Sequence, residues 1–101
     1  MSRRLSVSRA TVSRQAEPEY LATLGDLASR HQARGQSLWL FRHPTLPDTF
    51  LEFSESASAE RHRSQSPGDE VEAALEVRLR TLAAYAPDAW VLWEEIPLGK
   101  R

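Results

Sequence analysis

The chain has no cysteine and no asparagine, only four glycines, and no apolar run near the roughly 20 residues of a membrane span. Without cysteine there is no disulfide, no thiolate metal site and no thiol nucleophile. The few glycines form no GxGxxG fingerprint, phosphate loop or nucleophile elbow. No HExxH or comparable spacing joins the three histidines, so no metal is expected. An excess of charge is missing as well: the net value is -1, which gives no general attraction to nucleic acid or an acidic membrane. No apolar segment follows the basic start, so a secretory signal is not expected and a cytoplasmic location is the default.

What remains is 101 residues with 41% apolar content. That length suits one domain, residues 1–101, burying roughly two thirds of its unfolded surface. The charge is uneven. Arg3, Arg4, Arg9 and Arg14 put +4 on the first 16 residues, which contain no acid; against a net -1 the rest of the chain carries -5. Such an N-terminus is also the composition of a transit peptide, but residues 5–13 alternate like a strand and show no helical apolar face.

The chain is organised around residues 37–55. Two aromatic-rich runs, Ser-Leu-Trp-Leu-Phe-Arg-His and Thr-Phe-Leu-Glu-Phe-Ser-Glu, flank a Pro-Thr-Leu-Pro-Asp connector, the pattern of strand, loop and returning strand. Strands are expected near residues 36–43 and 49–55. Each is apolar on both alternating faces: Trp39 and Phe41 oppose Leu38 and Leu40, and Leu51 and Phe53 oppose Phe50. A helix over residues 19–33 precedes them, with Pro18 and acids at its start and Tyr20, Leu24, Leu27 and His31 at helical spacing. A second helix is expected over residues 70–85, capped by Asp69 with Glu72 three residues on. Its buried stripe would be Val71, Leu75, Leu79 and Leu82, with Glu76 and Arg80 on a wet face. Residues 56–68 show no clear pattern beyond one or two helical turns over 57–63. Residues 89–96 read as a last strand, Trp90 and Leu92 facing one way, Val91 and Trp93 the other.

The order strand, helix, strand, strand, helix, strand is the split βαβ arrangement: an α+β, ferredoxin-like βαββαβ fold with a four-stranded antiparallel sheet. Both helices cover one face. The other face then carries an apolar patch larger than a lone soluble molecule tolerates, so a homodimer through the open sheet face, a dimeric α+β barrel, is expected.

With a first helix ending in Arg-Gly, an aromatic second strand, a Pro/Asp connector and the third strand Phe50-Leu-Glu-Phe-Ser-Glu, the chain resembles the dimeric α+β-barrel superfamily typified by antibiotic-biosynthesis-monooxygenase-like domains. The resemblance spans nearly the whole chain at the level of pattern. It implies a cofactor-free cavity suited to flat aromatic molecules. Members often carry a Trp late in strand three, where this chain has Ser54, and a His on the following helix, near His62. The haem-degrading branch resembles a related fold with an Asn at its site, and this chain has none.

Histidine is the side chain best suited to moving protons near neutral pH. His62, in the charged run Glu60-Arg61-His62-Arg63, is the candidate catalytic residue, expected near a cavity mouth. Candidate ligand-binding residues are Trp39 and Trp93 as aromatic walls, His43 at a rim, and Glu52 as a carboxylate among apolar neighbours. The plain alternatives are a solvated loop histidine, core or interface tryptophans, and Glu52 paired with Arg42 on the next strand. The function read from these features is binding, with oxidation or isomerisation, of a small apolar or aromatic molecule. The competing readings are a non-catalytic dimerisation or interaction domain, and an RNA-recognition domain. The last is disfavoured because residues 49–55 carry two acids and no base.

Overall fold

A computed structural model describes residues 2–99. The elements are β1 (Arg4–Thr11), α1 (Glu17–Ala33), β2 (Ser37–Arg42), β3 (Thr49–Ser56), α2 (Glu70–Leu82), β4 (Ala84–Tyr85) and β5 (Trp93–Glu94). They form an antiparallel sheet in the order β2-β3-β1-β4, with β5 also beside β1. The expected ferredoxin-like α+β order is present. No described helix is long and apolar enough to cross a membrane.

The local reasons follow from the residues. α1 starts with Pro18 in its first turn beside Glu17 and Glu19, where a missing N–H costs nothing and acids suit the dipole. It ends at Arg34 and Gly35; Gly35 takes φ 77°, which a residue without Cβ adopts freely. At the start of α2, the Asp69 side chain accepts a hydrogen bond from the Glu72 amide at 2.9 Å. Glu72 does not complete a reciprocal box. Its carboxylate turns to Arg34, which caps the end of α1, and Arg30 pairs with Asp69 at 2.5 Å.

β3 decides which face is which. Phe50, Glu52, Ser54 and Ser56 are buried under the helices. Strand register places Leu38 and Leu40 of β2 and Ser6, Ser8 and Ala10 of β1 on that side. Val12, Tyr20, Leu24, Leu27, Phe50 and Leu79 pack together there, Tyr20 against Phe50 at 5.4 Å between ring centres. Leu5, Val7, Trp39, Phe41, Leu51 and Phe53 share the opposite face, which no element covers.

Three expectations need correction. α2 ends at Leu82, three residues early, because Ala84 and Tyr85 pair with Thr11 and Ala10 of β1. Tertiary strand pairing outweighs the helical preference of two alanines. The strand expected continuously over residues 89–96 is confined there to Trp93–Glu94, and a second short piece, Ala84–Tyr85, pairs with β1 before it. Between them, turns place the Ala89 amide on the Ala86 carbonyl and the Val91 amide on the Asp88 carbonyl. Pro87, which cannot donate to a ladder, sits in that excursion. The α2 stripe is also rotated: Glu72, Glu76 and Leu79 are its buried residues, whereas Val71 is 52% exposed.

Deleting a large core side chain should cost more than removing a surface cap. Leu27→Ala is expected to lower stability by about 3 kcal/mol and Asp69→Ala by about 1 kcal/mol. Both are read from the midpoint of urea unfolding; equal losses would mean that Leu27 is not as well packed as its complete burial indicates.

Candidate functional site: a buried polar centre and an open aromatic face

Two places carry side chains able to do chemistry, one on each face of the sheet. Beneath the helices lies a closed polar centre. Arg63 reaches into it from the irregular segment 57–69. Its Nε and Nη2 donate to the two carboxylate oxygens of Glu76, at 2.8 and 2.9 Å. Its Nη1 donates to Glu52 Oε1 at 2.8 Å and to the Ser54 hydroxyl at 3.0 Å. The other Glu52 oxygen accepts from the hydroxyls of Tyr20 and Tyr85, at 2.6 and 2.7 Å. Side-chain exposure is 1% for Arg63 and 0% for Glu52.

The last-strand excursion closes the chamber. The Trp90 ring lies 5.0 Å from the Arg63 guanidinium and 5.2 Å from that of Arg80, and Tyr85 packs against it. The Ala89 carbonyl, drawn inward by the same turn, is satisfied by the Ser8 hydroxyl at 2.8 Å. Such burial is sustainable because one guanidinium lies between the two carboxylates and the remaining Glu52 oxygen accepts from two tyrosine hydroxyls. Burial pulls the Arg63 pKa down, but Glu52 and Glu76 outweigh it and hold the guanidinium charged. Burial first, and the Glu52 charge second, push both tyrosines well above the usual phenol range, so they remain donors.

Glu52 was expected to face solvent or an interface and to pair with Arg42, or to sit in a cavity. It is fully buried and pairs with Arg63; Arg42 instead reaches Glu17 on α1, at 2.7 Å. Glu76 was placed on a wet face and is buried. Local patterning does not bring Arg63, Glu76, Tyr20, Tyr85 and Trp90 together as a group. The usable signal was the presence of an unpatterned charged segment directly between β3 and α2.

His62 is not at a cavity mouth. It is 1% exposed, its Nε2 lies 3.1 Å from the Ser54 carbonyl, and its Nδ1 accepts from the Ser64 amide at 3.0 Å. Those partners fit a neutral ring protonated on Nε2. Burial, and then Arg63, lower its pKa, while the Ser54 contact opposes them. His31 is equally buried, 3.9 Å from Glu72, and burial with nearby Arg63 and Arg34 brings its pKa to about 4.

The open face holds the other candidates. Trp39 and Trp93 come together as walls of a cavity of about 340 Å³, with Leu5 between their strands and Arg3, Arg4, Glu55, Glu94 and Glu95 around it. Arg3 bridges Glu55 and Glu95 at its edge. His43 lies elsewhere, lining a cleft of about 170 Å³ with Phe41 and Leu51. Its Nδ1 accepts from the Thr45 and Leu46 amides and so stiffens the connector. Glu52 is on the far side of the sheet from both. Among the described residues no cluster of three or more His, Asp or Glu side chains could hold a metal ion.

No family model matches the chain, and no curated protein matches it. Solved structures do. The chain is similar to a candidate antibiotic biosynthesis monooxygenase from Chloroflexus aurantiacus, at 18% identity over all of this chain and 97% of that one, with a TM-score of 0.68. It is also similar to a conserved protein of unknown function from Bacteroides thetaiotaomicron, described as a possible oxidoreductase. There the identity is 14%, coverage is 93% and 96%, and the TM-score is 0.73. The chain therefore shares the ferredoxin-like α+β fold of these two structures, the fold the resemblance implied.

A buried neutral imidazole makes stability depend on pH. His31 titrates near 6.5 when unfolded and near 4 when folded, so the unfolded chain binds more protons between those values. Stability should be constant above about pH 7, fall as pH drops through 6.5 toward 4, and level off for this group below that. His62 shifts the same way. His31→Leu should reduce the slope of unfolding free energy against pH across that window; an unchanged slope would mean His31 is charged in the fold.

Proposed function

We propose that this chain works as a homodimer joined through its open sheet face, and that it binds a small apolar or aromatic molecule in the cavity walled by Trp39 and Trp93. One observation carries the reading. The uncovered face presents Trp39 at 47%, Phe41 at 57% and Trp93 at 61% exposure beside half-buried Leu5, Val7 and Phe53. A contiguous apolar surface of that kind marks an interface or a binding site. A second sheet would cover its centre and roof the cavity at its end. Roughly 800 Å² per subunit suffices for a specific dimer. The cavity volume falls within the range of small-molecule sites, and two indole faces suit a flat ring. The descriptions of the two similar structures, a candidate monooxygenase and a possible oxidoreductase, support a ligand that can be oxidised.

A second reading, a binding or interaction domain without catalysis, is favoured by one specific observation: both ring nitrogens of His62 are engaged by the fold. The two readings part at His62→Ala. Loss of turnover of an aromatic substrate with the dimer intact supports catalysis at His62; retained turnover removes it from the reaction.

The dimer and the cavity are tested together. Sedimentation equilibrium should give a dimer for the unaltered protein and a monomer with unchanged circular dichroism for Phe41→Asp. Quenching of tryptophan fluorescence by 2-naphthol should saturate, and its affinity should fall at least about tenfold, or 1.4 kcal/mol, in Trp93→Ala. A monomer at high concentration would overturn the dimer, and unsaturable quenching would overturn the site.

A further inference from the structure

We infer that the open-face dimer has one particular register. The unpaired Arg9 of each copy docks on the Glu55 and Glu95 end of the other, so that each cavity walled by Trp39 and Trp93 is completed by the partner's Arg9. This inference rests on the dimer proposed above and adds which end of one sheet meets which end of the other.

The open face is built of cross-strand rows. Strand register aligns Trp93, Leu5 and Glu55 in one row, Val7, Phe53 and Trp39 in the next, and Arg9, Leu51 and Phe41 in a third. Apolar side chains run through all three, but the two outer rows differ in charge. The cavity at the first row is lined by three carboxylates, Glu55, Glu94 and Glu95, against two guanidiniums, Arg3 and Arg4. Arg3 is already engaged there: its Nε and Nη2 donate to Glu95 at 3.0 and 3.1 Å, and its Nη1 donates to Glu55.

The cleft at the third row has the opposite character. Its charged and titratable lining is Arg9, Arg42 and His43, with no acid. Arg42 is held by Glu17. Arg9 is exposed, and among the described residues its side chain has neither an ion pair nor a hydrogen bond. From Arg3 to Arg9 is about 20 Å of extended chain. That exceeds the roughly 8 Å over which exposed charges act at physiological salt. The acids of its own copy therefore do not balance Arg9.

In aligned face-to-face packing, a two-fold axis between the sheets runs either along the strands or across them. Along the strands, like ends meet: two unpaired guanidiniums at one end, two acid-rich cavities at the other. Across the strands, on the row of Val7, Phe53 and Trp39, opposite ends meet. The third row of each copy then lies over the first row of the other, and Arg9 falls between the partner's Glu55 and Glu95. The contact is isologous, so the pairing forms twice. Charge across an interface selects register, and juxtaposed like charges penalise the alternative. The cavity, open in one copy, gains its missing wall from the other, with a guanidinium placed to lie against the Trp93 ring.

The test is a charge swap, with Arg9→Glu and Glu95→Arg studied alone and mixed, by sedimentation equilibrium and by tryptophan quenching with 2-naphthol. Each variant alone should dimerise at least about tenfold more weakly than the unaltered protein, because like charges then meet at both ends. An equimolar mixture should form a heterodimer within about threefold of the unaltered affinity, because both contacts then join opposite charges. Saturable quenching should vanish with the dimer in each variant and return in the mixture. Single variants that dimerise as tightly as the unaltered protein, or a mixture no tighter than its components, would overturn the register and leave the dimer standing. A tighter dimer on mixing Arg9→Glu with the unaltered chain would show like ends together and overturn it as well. A heterodimer without restored quenching would overturn the shared cavity. An unaltered protein that stays monomeric would instead overturn the dimer itself.

Discussion

One guanidinium shared between two buried carboxylates ties this fold together. Glu52 comes from the sheet and Glu76 from α2, and neither could be buried without a cation between them. Arg63 meets that requirement from the segment joining the two elements, so the connection from β3 to α2 is drawn inward rather than looping over the surface. The interruption of the last strand belongs to the same arrangement. A straight strand beside β1 would leave the Arg63 side chain uncovered. Instead the chain leaves the ladder after Tyr85, turns through residues 86–92, lays Trp90 over the guanidinium and rejoins β1 at Trp93. The ladder bonds given up are partly replaced, as where the Ser8 hydroxyl takes the Ala89 carbonyl.

The sheet consequently divides its chemistry in an unusual way. Among the described residues, those buried and polar or charged outnumber those buried and apolar. The apolar core is confined to Val12, Tyr20, Leu24, Leu27, Phe50, Leu79 and their small neighbours. Much of the aromatic surface lies on the side without helices. A sequence of ordinary apolar content has thus placed its hydrophobic driving force largely where a single copy cannot use it. The polar layer confers a unique packing more than a large stability, since a matched buried ion pair contributes little net free energy while a broken one is costly. Association through the aromatic face would supply what the helix layer lacks.

These properties also explain which parts of the sequence were legible. Element order, the α1 stripe of Tyr20, Leu24, Leu27 and His31, and the doubly apolar β2 follow from local periodicity, and local periodicity is what a sequence displays. The turn of α2 about its axis was hidden, because Glu72 and Glu76 point inward only when Arg34 and Arg63 arrive from elsewhere in the chain. Taken alone, a carboxylate followed by Arg80 four residues on is a solvated pair. The split last strand was hidden for the same reason: Trp90-Val-Leu-Trp93 is a strand by every local criterion, and only the distant guanidinium makes the inward turn favourable. Trp39 and Trp93 could each be assigned to an apolar face, but that they wall one cavity follows from β5 pairing with β1 in register at Leu5.

His62 is best understood through its neighbour. Adjacent residues of an irregular segment both contact Ser54: His62 through the backbone carbonyl, Arg63 through the hydroxyl. The imidazole is thereby fixed against β3, and its own carbonyl receives the Gln65 and Ser66 amides, closing a tight turn around it. A segment without helix or strand has no ladder to set the direction of its side chains. Pinning one residue at its ring nitrogens and its backbone sets the direction of the next, so Arg63 enters the chamber with its fork already facing Glu76. The neutral state favoured by burial is the one this arrangement requires, because a proton on Nδ1 would displace the Ser64 amide that it accepts. The histidine singled out in the sequence is therefore held against β3, directly beside the arginine that enters the chamber.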